Sequence, residues 1–146
     1  SGVGTIPVEI TETQCPLYFK RKEYLPDSGG AGEYRGGLSQ TIEIANRESA
    51  PFTISAATFD RIHNPAQGRD GGKPGRRGLA RLGSGKAIPD KGIHVIPSGD
   101  SLLVELPGGG GFGDPARRDP ALIEEDLKAG LITPEAALSD YGHEPT

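Results

Sequence analysis

The chain has 146 residues and a mass of 15.3 kDa, the size of one domain with one core. A formal net charge of -4 and a pI near 5.4 exclude a general nucleic-acid binder, which carries a basic excess on one face, and no aromatic-basic stacking platform is present. Glycine (23) and proline (13) approach the level of disordered chains, but the glycines cluster between alternating apolar runs such as Leu102-Leu103-Val104-Glu105-Leu106, as turns between strands do.

A hydrophobic fraction of 34%, with no Trp or Met, makes a thin core that would gain from a partner surface. Cys15 is the only cysteine, so neither an internal disulfide nor a multi-cysteine zinc site can be built, and a reducing cytoplasm is the natural expectation. No apolar run approaches the ~20 residues that span a bilayer, and no targeting segment is visible. The start at Ser1 fits removal of a methionine as well as a cut inside a longer chain.

In chain order, Val8 to Glu12 alternates as a strand and Leu17 to Leu25 continues as a second, broken at Cys15-Pro16, where proline removes a ladder donor. Asp27-Ser28-Gly29-Gly30-Ala31-Gly32 reads as a loop of residues tolerant of positive φ. Thr41 to Ala45 and Phe52 to Phe59 read as strands, followed by a long glycine-rich loop from Asn64 to Gly78. Leu79 to Leu82, Ile93 to Ile96 and Ser101 to Leu106 supply short strands, the last two joined by a turn over Pro97 to Asp100. Asp119-Pro120 opens a helix that closes at Gly130, and Thr133-Pro134-Glu135 opens a second that closes at Gly142. The expected fold is mainly β, an antiparallel sandwich or barrel-like domain over residues 1–118, with a helical hairpin over 119–146 packed on it as part of one domain.

Candidate chemistry sits in the loops. Gly108, Gly110 and Gly113 have G-x-G-x-x-G spacing after a strand, but a dinucleotide site needs a helix to begin there, and Pro115 follows with no helix before Pro120. The run Gly108-Gly109-Gly110-Gly111, with Asp114, reads instead as a sharp turn or interface, or as an anion nest. Arg69, Lys73, Arg76 and Arg77, joined by Arg61 and Arg81, suit phosphate or carboxylate recognition, or are solvated and paired with Asp60 and Asp70. His63, His94 and His143 show no ligand spacing, and His94 faces away from Ile93 and Val95. Ser28 and Cys15 lack a neighbouring base in sequence, and Ser1 could use its own α-amino group only if cleavage exposed it.

Taken in order, Gly4-Thr5-Ile6-Pro7-Val8-Glu9, Asp27-Ser28-Gly29-Gly30-Ala31-Gly32-Glu33-Tyr34-Arg35-Gly36-Gly37-Leu38, Pro107 through Pro115, Arg118-Asp119-Pro120 and Asp140-Tyr141-Gly142 resemble the C-terminal region of the hydantoinase B subunit family. That family includes the matching half of 5-oxoprolinase and related acetone and acetophenone carboxylase subunits. Ser39 departs from it, standing where glycine more often follows Arg-Gly-Gly-Leu. The resemblance implies an ATP-dependent hetero-oligomer. An A-type subunit binds ATP and phosphorylates the substrate, and the B-type subunit carries out ring opening or carbon-carbon bond formation. It further implies a B-type subunit several times longer than this chain, with its metal ligands N-terminal to the region seen here. ATP and a divalent metal are then expected in the complete enzyme and no cofactor in this chain. Its partners are expected to be the N-terminal part of the same subunit and the A-type subunit, with neither nucleic acid nor membrane. The expected role is packing, subunit contact and glycine loops bordering a shared site, with Asp27, Ser28, Gly29, Gly30 and Arg35 among the contact candidates. A stand-alone structural subunit and a phosphate- or nucleotide-binding module built on the loop cations are the alternatives.

Overall fold

The computed structural model describes residues 6–56, 62–89 and 91–144. Ser1, the Gly4-Thr5 start of the first motif, Asp60, Arg61 and the end of the strand expected to reach Phe59 lie outside the described residues. The first element is a helix, α1 (Val8–Gln14), where the alternation Val8, Ile10, Glu12 predicts a strand. Tertiary contact overrides the β-branched pattern: Val8, Thr11, Glu12 and Cys15 are half-buried at helical spacing, and Glu12 accepts from the Phe19 amide at 2.8 Å and pairs with Arg47.

Six strands follow: β1 (Leu17–Leu25), β2 (Ser39–Asn46), β3 (Phe52–Ala56), β4 (Leu79–Leu82), β5 (Gly92–Ile96) and β6 (Ser101–Glu105). They form an antiparallel four-stranded sheet in the order β1-β2-β6-β4 and a two-stranded sheet of β3 and β5. The register places Ile42, Ile44, Leu102, Val104, Ala80 and Leu82 on one face of the larger sheet. Leu82 and Leu102 of that face pack with Ile96, Phe52, Ile54, Ile88 and Val104, so the small sheet covers the large one as the second layer of a sandwich. The opposite face mixes the buried Ala45 and Leu103 with the polar Thr41, Glu43 and Ser101. Glu43 there accepts from Ser101 Oγ at 2.7 Å and pairs with Lys20 at 3.3 Å and Arg21 at 3.5 Å. The Ser101 hydrogen bond, with the two cations, holds its carboxyl below the usual range.

Pro115–Arg117 forms a 3-10 turn, and α2 (Pro120–Lys128) and α3 (Pro134–Tyr141) form the hairpin. Both helices start as the sequence indicates. Asp119 accepts from the Ala121 amide at 2.9 Å, and Thr133 Oγ1 accepts from the Ala136 amide at 3.2 Å. Gly130 and Gly142, each at φ 66, end them in the left-handed conformation that glycine adopts without strain. Ile123, Ile132 and Ala137, with Leu127 and Tyr141, make a small core inside the hairpin, separate from the sandwich core.

Candidate functional site

All four strands of the larger sheet continue, at one end, into the glycine-rich segments. β1 runs into residues 28–31, β2 emerges from 34–37, β6 runs into 108–112, and β4 emerges from 72–76. In the sheet β1 and β4 are opposite edges. Beyond it their extensions meet, because the Arg76 amide donates to the Ser28 carbonyl at 2.9 Å and the Lys73 amide to the Ala31 carbonyl at 2.7 Å. The row of strands therefore rolls up into a bundle with 108–112 at its centre. Gly108 donates to the Arg76 carbonyl at 3.0 Å and Gly111 to the Lys73 carbonyl at 2.9 Å. On another side Gly109 donates to the Gly37 carbonyl and Phe112 to the Tyr34 carbonyl, each at 2.9 Å, and Gly30 donates to Gly109 at 2.8 Å.

These bonds recur every three residues along each segment, at 28 and 31, 73 and 76, 108 and 111, 34 and 37. A β ladder recurs every two, whereas an extended helix of three residues per turn points its amides and carbonyls outward in several directions and can bond neighbours on every side. Such a bundle has no room for side chains. A Cβ on Gly108 would lie 1.7 Å from the Ser28 carbonyl oxygen, on Gly111 2.1 Å from that of Ala31, on Gly110 2.1 Å from that of Gln67, and on Gly30 2.1 Å from that of Lys73. On Gly29 it would meet the Gly36 carbonyl oxygen at 2.2 Å, and on Gly109 the Gly37 nitrogen at 2.9 Å. The glycines are thus required by close main-chain approach, and the run 108–111 is a packed centre rather than a sharp turn. No α-helix begins at it, so the pyrophosphate geometry of a dinucleotide site is not formed.

The candidate side chains fall around this bundle in three groups. Ser28 is fully buried, and its hydroxyl donates to the Leu25 carbonyl at 2.5 Å and accepts from the Ser39 amide at 2.7 Å. Both capacities are used, which leaves no activated nucleophile. Ser39, where the family pattern favours glycine, is buried and donates to the Leu106 carbonyl. Cys15 donates to the Thr11 carbonyl at 3.3 Å.

A second group fixes the hairpin to the bundle. Asp27, at φ 58, accepts from the Thr133 amide at 2.8 Å and its hydroxyl at 2.9 Å. Arg35 grips Asp126 with two bonds of 2.8 and 2.9 Å, and Arg118 adds a third of 2.8 Å while donating to the Glu33 carbonyl at 3.3 Å. The Arg118 side chain is 7% exposed, and its guanidinium lies 5.8 Å from the Tyr141 ring centroid. Burial pushes the Asp126 carboxyl up, but the Arg35 bond and the two positive charges outweigh it and hold the group below its ordinary value. The hydrogen bond to Asp126 raises Arg35, and burial raises the Tyr141 phenol. Sequence reasoning missed Asp126 and met Arg118 only as part of a family motif, with no role; the available signal for Asp126 was an acid three positions after Ile123, on the apolar stripe of α2.

The third group is the loop cations, which the structure disperses. Lys73 pairs with Asp140 at 2.8 Å and Arg76 with Glu105 at 3.1 Å, while Arg69 and Arg77 make no side-chain hydrogen bond or ion pair among the described residues. Asp70 pairs with none of them, and the Arg81 Nε is buried without a hydrogen-bond partner among the described residues. Asp114 caps the 3-10 turn by accepting from the Ala116 amide at 3.0 Å. His143 bonds Glu124 at 2.6 Å and His94 the Lys91 carbonyl at 3.0 Å. Among the described residues no three His, Cys, Asp or Glu side chains converge to hold a metal, so the donor set here does not fit one. No helix of the described residues is long and apolar enough to cross a membrane.

Comparison with known proteins places this arrangement. The Hydantoinase B/oxoprolinase family profile matches residues 1–115. An uncharacterised protein of Methanocaldococcus jannaschii is 36% identical over 138 residues, covering 92% of this chain and 24% of that one. The caprolactamase subunit beta of Pseudomonas jessenii is 30% identical over 144 residues, again covering 92% of this chain and 24% of the relative. The crystal structure of the ATP-dependent caprolactamase from that organism superimposes with a TM-score of 0.78 at 25% identity, over 96% of this chain and 25% of that one. An acetone carboxylase in its nucleotide-free state shares the fold, with a TM-score of 0.70 at 23% identity over 95% of this chain and 23% of that one. The chain thus spans about a quarter of the length of these relatives.

Proposed function

The chain belongs to the hydantoinase B/oxoprolinase family, and from that premise we propose that it serves as the C-terminal domain of the B-type subunit of an ATP-dependent cyclic-amide hydrolase. Its role there is packing and subunit contact, with the bundle as a rigid border of a site completed by other parts of the assembly. The observation that carries this reading is the state of the candidate groups. Ser28 is spent on two main-chain bonds, Arg35 and Asp126 on each other, and the glycine run on backbone packing. What remains is a stiff surface of main chain and scattered charge.

The chemistry divides accordingly. Opening a cyclic amide needs an activated carbonyl, because amide resonance makes it a poor electrophile, and phosphorylation of its oxygen by an A-type partner supplies that activation. Water must then reach the carbonyl carbon and a proton the ring nitrogen. With Ser28, Arg35 and Asp126 each held in structural bonds, both steps are assigned to the N-terminal part of the subunit. The same reading places ATP and the divalent metal outside this chain, makes the assembly a hetero-oligomer, and assigns it to the cytoplasm.

The test is turnover. The 146-residue chain incubated with ATP and caprolactam, hydantoin or 5-oxoproline is expected to release neither ADP nor ring-opened product, and the full B-type polypeptide with its A-type subunit is expected to release both. Ring opening by the chain alone would contradict the proposal.

A further inference from the structure

Two edge strands of this molecule are built differently. The free edge of β1 carries four successive charges, Lys20, Arg21, Lys22 and Glu23, and a register shift at Lys20, the features that keep an edge from pairing with another strand. β5, Gly92-Ile93-His94-Val95-Ile96, carries no Asp, Glu, Lys or Arg, and among the described residues it pairs only with β3. Ile93 is 75% and Val95 63% exposed, while His94 between them turns inward. His94 and Ile96 thus face the core while two apolar side chains of the strand, Ile93 and Val95, face outward uncovered.

A cleft of about 250 Å³ runs beside β5, lined by Ile93, His94 and Val95 together with Leu82, Pro97 and the segment 86–89. Successive residues of a strand point to opposite faces, so a cleft that touches three in a row follows the edge of the strand rather than one face. Its walls mix apolar side chains with polar surface, and Lys86 stands beside it, its ammonium without a partner among the described residues. A two-stranded sheet is a marginal structure that a third strand completes, and a groove along an open edge is where sheets take up extended segments.

We propose that the free edge of β5 receives an added strand, an extended segment of alternating apolar residues with a carboxylate placed against Lys86, contributed by the part of the B-type polypeptide that lies outside these 146 residues. The inference rests on the reading of the preceding subsection, and the length of the relatives favours this source, since only 24% of the caprolactamase subunit is matched. The absence of charge from the strand selects an uncharged partner face, and Lys86 selects the acid at its margin.

Hydrogen exchange on the full polypeptide that carries this sequence tests it, with the β1 edge of the same molecule as reference. The amides of Ile93 to Ile96 are expected to exchange at least ~100-fold more slowly than those of Lys20 to Glu23, and Lys86→Glu to lose at least ~10-fold of that protection. Equal exchange of the two edges would overturn the inference, as would protection unchanged in Lys86→Glu. Protection that arises only when the A-type subunit is added would overturn the assigned source. So would a spontaneous intermolecular disulfide in Cys15→Ser, His94→Cys, because two copies of β5 paired antiparallel about residue 94 place those cysteines opposite each other. A gene product of only these 146 residues would sink the reading of the preceding subsection, whereas a longer one with a freely exchanging β5 would sink this inference alone.

Discussion

The glycine bundle and the helical hairpin touch each other, yet they are held together by opposite means. The hairpin follows familiar rules: capped helices, a small apolar core of Ile123, Ile132 and Ala137, and an ionic clamp in which Arg35 and Arg118 share Asp126. The bundle has almost no side chains inside it. Its cohesion comes from main-chain hydrogen bonds and main-chain contact at a spacing that one methyl group would destroy. A hydrophobic fraction of 34% looks thin only if every core is made of side chains; here part of the core is backbone. Low apolar content is therefore no sign of a missing partner; family membership and the uncovered side chains of β5 are.

That contrast can be broken at its strongest point first. Gly108→Ala puts a Cβ against the Ser28 carbonyl, with main chain on both sides, and is expected to cost ~4 kcal/mol or more, enough to prevent folding, as read by urea denaturation. A near-neutral result would show that the bundle yields. In the hairpin, Asp126→Ala strands two guanidiniums and should cost ~3 kcal/mol. The same carboxyl sets an acid limit. Its folded pKa lies below the ordinary Asp value of 3.8, so its contribution is complete above that value and is lost as pH falls through the lower, folded one. Asp126→Asn should remove that part of the acid transition, which a pH titration of thermal stability would reveal.

Smaller effects sharpen the comparison. Thr133→Ala removes both the α3 cap and one bond to Asp27 and should cost ~1 kcal/mol, seen as a lower Tm. Gly37→Ala is the control inside the glycine motif. A Cβ there meets nothing within 4 Å, so the change is expected to stay within ~0.5 kcal/mol despite lying eight residues from Gly29. Equal damage from Gly37→Ala and Gly108→Ala would mean that glycine is needed for chain flexibility and not for contact.

Most of the sheet and both C-terminal helices were legible because their signals are local. Alternation marks Thr41 to Ala45 and Ser101 to Leu106, and Asp119-Pro120 and Thr133-Pro134 mark the helix starts. α1 was not legible, since Val8 and Ile10 favour a strand and the contact of Glu12 with Arg47, 35 positions on, lies outside any local window. The bundle reads as loops in the sequence for a different reason. Glycine carries no pattern of polarity, so a period of three in its hydrogen bonds leaves no trace in the sequence. The clamp joins residues 91 positions apart, Arg35 and Asp126, and spacing alone could not pair them.

The central claim is that the glycine segments form a core. Amide hydrogen exchange tests it at residues that belong to no strand or helix: Gly30, Lys73, Arg76, Gly108, Gly109, Gly111 and Phe112. These amides are expected to exchange as slowly as those of β6, because each is bonded to a carbonyl inside the bundle. Exchange as fast as in the exposed turn at Ser98-Gly99 would contradict the account.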